Sequence, residues 1–181
     1  MIEFERDIAE STLRILQKKT WNNFNINDLL KKKNTRKLKI KSKNDLLKFI
    51  NRFVDWHLIN NTKDIEQSST KDMLFEVLMA RFDILQLYRA AFINIYNGFK
   101  KSPYQLINLL PSFLESMITT AELAHFDVNG LKGNFRLKGL IVVYFITFIH
   151  WKNDSSPSLE KTMTQLDKNL DQAENFGKIL S

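Results

Sequence analysis

The sequence predicts an all-α fold, a short N-terminal group of three helices followed by a larger antiparallel helical bundle. Three observations predict it. Only five glycines and three prolines interrupt 181 residues, and apolar residues recur at spacings of three and four rather than two. The apolar content of 44% is enough for one compact domain, or for a small domain joined to a larger one. The division is placed between residues 45 and 46, giving layers 1–45 and 46–181.

Phe4, Ile8, Thr12, Ile15 and Leu16 fall on one side of a helix from Glu3 to Lys18, with Leu13 off that stripe. Trp21 and Phe24 follow in a short turn. Asn25 or Asn27 can cap a second short helix that turns Ile26, Leu29 and Leu30 inward. Lys31 to Lys33 then lie near its end, where positive charge suits the macrodipole. Ser42 and Asp45 read as a capping box with Asp in place of the usual Glu, opening a helix through Leu46, Phe49, Ile50, Phe53 and Val54 to about Ile59.

The stretch NNTKDIEQSST breaks that pattern, and Ser69 or Thr70 starts a long helix. In it Leu74, Leu78, Phe82, Leu85, Tyr88 and Phe92 repeat at helical spacing, with a kink or break open at Gln86 to Arg89 and an end at Gly98. Ser102-Pro103 forms a cap and first-turn pair, and Pro111 marks either a second start or a kink in a helix running to about His125. Gly130 and Gly133 belong to the next connection or to the first turn of a helix ending at His150 and Trp151. Its core, GLIVVYFITFI from Gly139 to Ile149, is far short of the roughly 20 residues a membrane span needs, and is expected to be buried on nearly all sides. Ser156 and Pro157 restart the chain as cap and first helical residue, and Leu159, Met163, Leu166, Leu170 and Ala173 form one apolar seam along the final helix.

Charge is the most informative feature. The chain has 27 Lys and Arg against 20 Asp and Glu, a net of +7. Eight of the bases, Lys31, Lys32, Lys33, Arg36, Lys37, Lys39, Lys41 and Lys43, lie in one short segment. Without them the remaining 19 bases balance the 20 acids. Charge localised in this way points to a polyanionic partner, nucleic acid or an anionic lipid surface, unless the run is simply solvated. The absence of cysteine excludes disulfides, zinc–thiolate sites and thiol catalysis, and fits a reducing cytoplasm. The N-terminus MIEFERDIAE carries acids where a secretory signal carries bases, so no export is expected.

The residues of an enzyme are not apparent. No glycine-rich phosphate loop, serine elbow or HExxH pair occurs. Glu122 and His125, three apart on a helix, make half of a di-iron signature, but neither His57 nor His150 follows a Glu at that spacing. A non-enzymatic protein without metal or cofactor is expected, its histidines serving packing and helix ends. The chain has 14 Phe residues, most of them in the bundle. Phe82, Tyr88, Phe92, Phe113, Met117, Tyr144 and Phe148 could together surround an elongated apolar molecule or lipid.

Three short helices followed by a longer one opened by SKNDLLKFI resemble the TetR family of transcriptional regulators, with Ile40 to Leu47 at the family's F-P-S-K-E-x-L-L motif. The stretches KDMLFEVLMARFDILQLYRAAF and GLKGNFRLKGLIVVYFITFIHWKNDSSPSLEKTMTQLDKNLDQAE are similar to an alphaproteobacterial TetR-like subgroup. The C-terminal part is also similar to the lipid-binding accessory proteins of ubiquinone biosynthesis, which share that fold. The resemblance implies DNA binding by the first three helices and an apolar effector in the bundle. It also implies a homodimer formed by the last two helices, through Val143, Ile146, Ile149, Leu159, Met163, Leu166, Leu170 and Ala173. Between Asp28 and Lys43 the chain is about four residues shorter than the family's helix-turn-helix, and lacks its glycine and tyrosine. Two expectations follow: a regulator touching DNA through Lys31 to Lys43, or a lipid- or quinone-binding accessory protein whose lysines meet anionic headgroups.

Overall fold

The computed structural model describes residues 1–30, 40, 42–101 and 104–175. Among them the regular structure is all α-helical: α1 Glu3–Leu16, α2 Ile26–Leu30, α3 Lys43–Asn61, α4 Thr70–Leu87, α5 Arg89–Lys101, α6 Tyr104–Ile107, α7 Leu110–Leu123, α8 Gly130–Asn153 and α9 Glu160–Asn175. Ser102-Pro103, expected to cap a helix, lies outside the described residues. The chain forms two compact units, Met1–His57 with Ile84–Leu114, and Leu58–Asp83 with Glu115–Ser181. Residues 1–45 fall wholly within the first unit, and the divisions lie inside α3, α4 and α7.

In the first unit α1 packs on α2 and α5, and α5 on α6. The buried face of α1 is Ile8, Ala9, Thr12, Leu13 and Leu16. Leu13, expected off the stripe, is fully buried, whereas Ile15 is only half-buried. The reason is that the core covers a wider arc of α1 than one row of residues, so the rows 8-12-16 and 9-13 both face inward. Leu46, Ile50, Phe53, Ala91 and Ile95 complete this core around Trp21 and Phe24.

Local chemistry sets the helix starts. Asn25 Oδ1 accepts the Asn27 N–H at 3.0 Å while Asp28 Oδ2 accepts the Asn25 N–H at 3.2 Å, so Asn25 is the cap of α2. The Ser42–Asp45 box closes in both directions: Ser42 N–H donates to Asp45 Oδ2 at 2.9 Å and Asp45 N–H to Ser42 Oγ at 3.3 Å. At the start of α4 the Asp72 N–H likewise donates to Ser69 Oγ at 3.2 Å, while the Ser69 hydroxyl donates to Asp72 Oδ2 at 2.6 Å. The long helix breaks at Tyr88, between α4 and α5. Gly98 does not end α5, which continues to Lys101. A Cβ there would fall 2.7 Å from Trp21 Cβ, so this glycine serves close packing instead of termination. Pro111 marks the start of α7, at its second residue.

In the second unit His125, at φ 52°, closes α7 in the left-handed region. Phe126 N–H donates to the Ala121 carbonyl at 2.8 Å and His125 N–H to that of Glu122 at 3.0 Å, the paired bonds of a Schellman end. Gly133 lets α8 pass the Val128 carbonyl so closely that any Cβ would collide with it. The final helix begins at Glu160, later than Pro157. Asp154 organises that delay: its Oδ1 accepts from Ser156 N–H and Oγ–H at 3.0 and 2.6 Å, and its Oδ2 from Thr162 N–H and Oγ1–H, both at 2.8 Å. Burial pushes this carboxyl up, but the Ser156 and Thr162 donors outweigh it and hold the group well below the usual carboxylate range.

The expectation that Gly139–Ile149 is buried on nearly all sides is corrected. Leu140, Val143, Tyr144 and Thr147 are buried, but Val142, Phe145, Ile146 and Ile149 are exposed. A run that is apolar all round carries no periodicity to show which face its own chain covers. The covered face of α8 packs on α9, where Thr147 Oγ1 accepts a bond from Asn169 Nδ2 at 3.0 Å.

Candidate functional site

Of the eight expected polyanion-binding cations, Lys31, Lys32, Lys33, Arg36, Lys37, Lys39 and Lys41 lie outside the described residues. The eighth, Lys43, is tied into the fold. Its ammonium donates to the Trp21 carbonyl at 2.8 Å and lies 5.3 and 5.8 Å from the centres of the Trp21 and Phe24 rings. Burial there pushes its pKa down. The residues on either side of the basic run are anchored, with Leu29 fully buried before it and the Ser42–Asp45 box after it.

The two units differ in charge. The first holds 17 Lys and Arg against 7 Asp and Glu, a net of +10, and the second holds 10 against 13, a net of −3. From Ile84 to Leu114 no acidic residue occurs. Formal charge is therefore segregated between the two units.

The seven expected ligand-binding residues divide between the units. Tyr88, Phe92 and Phe113 belong to the first, where Phe92 is packed against its core. Tyr88 meets Phe53 edge-on at 5.9 Å and donates to Glu10 Oε1 at 3.3 Å. Burial, followed by the Glu10 charge, raises its pKa. Phe82, Met117, Tyr144 and Phe148 belong to the second. There Phe82 stacks on Tyr144 at 5.5 Å, Tyr144 tilts on Phe148 at 6.3 Å, and Trp151 lies 5.3 Å from Phe148 and 6.3 Å from Phe82. Met117 is fully buried.

Three polar residues beside this aromatic group were not anticipated. Arg81, only 2% exposed, donates to Ser116 Oγ at 2.5 Å and Thr120 Oγ1 at 3.4 Å, with its guanidinium 5.7 Å from the Tyr144 ring centre. The signal was present in the spacing: Arg81 stands three residues after Leu78 and four before Leu85, on the buried stripe of α4. Lys71 at the other end of α4 bridges Asp167, at 3.1 Å, and Asp171 on α9.

Of the eight residues expected at a dimer interface, Val143, Leu159, Leu166, Leu170 and Ala173 are buried within this chain. Ile146, Ile149 and Met163 are exposed, together with Leu131, Phe135, Val142 and Phe145 of α8. The apolar seam of α9 is thus consumed largely by packing inside the second unit, and the uncovered surface lies on α8.

His57 is edge-on to Phe53 at 4.5 Å and to Trp56 at 4.8 Å, and burial lowers its pKa against the opposing pull of Glu10. Glu122 and His125 are exposed at the closed end of α7, and among the described residues no group of three His, Asp or Glu is placed to hold a metal ion. No described helix is long and apolar enough to cross a membrane. No protein-family model matches the chain, and no curated protein matches it.

Proposed function

We propose that the chain is a TetR-like regulator that meets DNA through the basic segment of its first unit and answers to an apolar effector in its second. The observation that supports this reading is the segregation of charge, +10 in the first unit against −3 in the second. Cations gathered on one unit release counterions from a duplex on binding, which makes the affinity steeply salt-dependent. Phe82, Met117, Tyr144 and Phe148, with Arg81, Ser116 and Thr120 at their side, are the proposed effector contacts. The exposed row Leu131, Phe135, Val142, Ile146 and Ile149 on α8 is proposed as the face covered by a second copy, at steps of three, four and seven that keep one side of a helix.

Replacing Lys31, Lys32, Lys33, Arg36 and Lys37 together by Ala tests the DNA reading. Loss of duplex binding in fluorescence anisotropy, at unchanged helix content by circular dichroism, is the expected result; undiminished binding would sink it. The second reading is a lipid- or quinone-binding accessory protein. It is favoured by the shortened segment between Asp28 and Lys43 and by an apolar surface on the first unit. Organic extraction of the purified protein that yields no prenyl lipid or quinone would remove that reading.

A further inference from the structure

The first unit exposes a cluster of large apolar side chains that its own fold does not require. Tyr104 is 67% exposed, Leu106 47%, Ile107 72% and Leu110 53%. They lie on the short helix α6 and the first residue of α7. Their neighbour Leu109 is buried in the unit's core, so the chain is held against the protein while these four point away from it. Exposed Lys100 and Lys101, at the end of α5, stand just before them.

We infer that Tyr104, Leu106, Ile107 and Leu110, with Lys100 and Lys101, form an interfacial patch that seats the first unit on an anionic lipid bilayer. Three features select that occupant. Apolar side chains lose unfavourable water contact only against another apolar phase, and the phosphate backbone of nucleic acid offers none. A second copy would bring another unit of +10 against this one, which like-charge repulsion opposes. A bilayer with anionic headgroups supplies both needs at once: acyl chains for Leu106, Ile107 and Leu110, the headgroup layer for the Tyr104 ring and hydroxyl, and negative charge for the two lysines. The stretch from Ile84 to Leu114, which carries the patch, has no acidic residue to repel such a surface.

This inference does not rest on the DNA reading, and the two fail separately. The full chain is co-sedimented with vesicles of phosphatidylglycerol and phosphatidylcholine, and with vesicles of phosphatidylcholine alone. The expected result is binding to the anionic vesicles that falls by at least about tenfold in Leu106→Asp/Ile107→Asp and by a similar factor in Lys100→Glu/Lys101→Glu. Circular dichroism and thermal melting should be unchanged, because the substituted side chains are exposed. Wild-type protein that stays in the supernatant when the anionic vesicles are pelleted overturns the inference. So does a Leu106→Asp/Ile107→Asp variant that sediments like wild type, which would leave the basic run as the sole membrane contact. A variant that alters self-association or binding to an acidic polypeptide, with no effect on lipid, also overturns it and marks the patch as a protein contact. Duplex anisotropy on the same preparations keeps the readings apart: lost vesicle binding with retained DNA binding touches the patch alone.

Discussion

The two units both leave large apolar side chains in solvent, yet they do so in opposite electrostatic surroundings. On α8 the exposed row from Leu131 to Ile149 belongs to a unit of net −3, with little charge to keep a second copy away. At α6 the exposed cluster belongs to a unit of net +10, a charge that favours a polyanionic surface over a second copy in the reading proposed above. Exposed apolar area gives the gain from being covered; the surrounding charge selects what covers it. The interiors differ as well. The first unit is closed by aromatic packing around Trp21, while the second is organised by buried polar groups, Asp154 and Arg81 among them.

The largest effect should come from breaking the second unit's polar order. Asp154→Ala leaves the Ser156 and Thr162 donors without their acceptor and removes the anchor of the α9 start. A loss of about 2–4 kcal/mol is expected, measured by urea unfolding. The same carboxylate predicts the acid response. Its folded pKa lies below the unfolded value of about 3.9, so its contribution is present above that pH and is lost as pH falls through the folded value. Wild type should therefore lose stability more steeply below about pH 4 than Asp154→Asn does.

Comparable in size is the expected effect at the α8 surface. Val142→Glu/Ile146→Glu should weaken self-association by about 2–4 kcal/mol, seen as a shift to monomer in sedimentation equilibrium. Monomeric wild type would leave the α8 face without its proposed partner. In the first unit Gly98→Ala drives a methyl group into the Trp21 ring, at an expected cost of about 1–3 kcal/mol. The smallest effect is Lys43→Ala, about 1 kcal/mol of stability from the lost carbonyl bond and ring contacts. Because the Lys43 ammonium already has a partner in the fold, the change should alter the salt dependence of polyanion binding little.

The legible parts of the fold were those written in local chemistry. The Ser42–Asp45 box, the break near Tyr88 and the buried row Leu74, Leu78, Phe82 and Leu85 depend on residues within one or two turns of each other. Part of what escaped depends on distant neighbours, and part on side chains that take up nearby backbone groups or on a segment without periodicity. Gly98 reads as a helix end until Trp21, 77 residues earlier, is placed against it. The α9 start is delayed by Asp154, six residues upstream of Glu160. The exposed face of α8 cannot be read from a segment that is apolar all round. For the candidate sites, the basic run was evident as a sequence pattern, whereas the engagement of Lys43 by Trp21 was not. Of the expected effector group, Phe82, Tyr144 and Phe148 are in ring contact in the second unit, joined by Trp151.

The most direct test of a first unit built for DNA is anisotropy of two labelled duplexes, the gene's own upstream region and a shuffled control, titrated with the protein at low and physiological salt. Preferential binding to the upstream duplex that persists at physiological salt is the result expected of a regulator. Equal binding to both duplexes that vanishes as salt rises would contradict it, reducing the basic segment to generic attraction for polyanions.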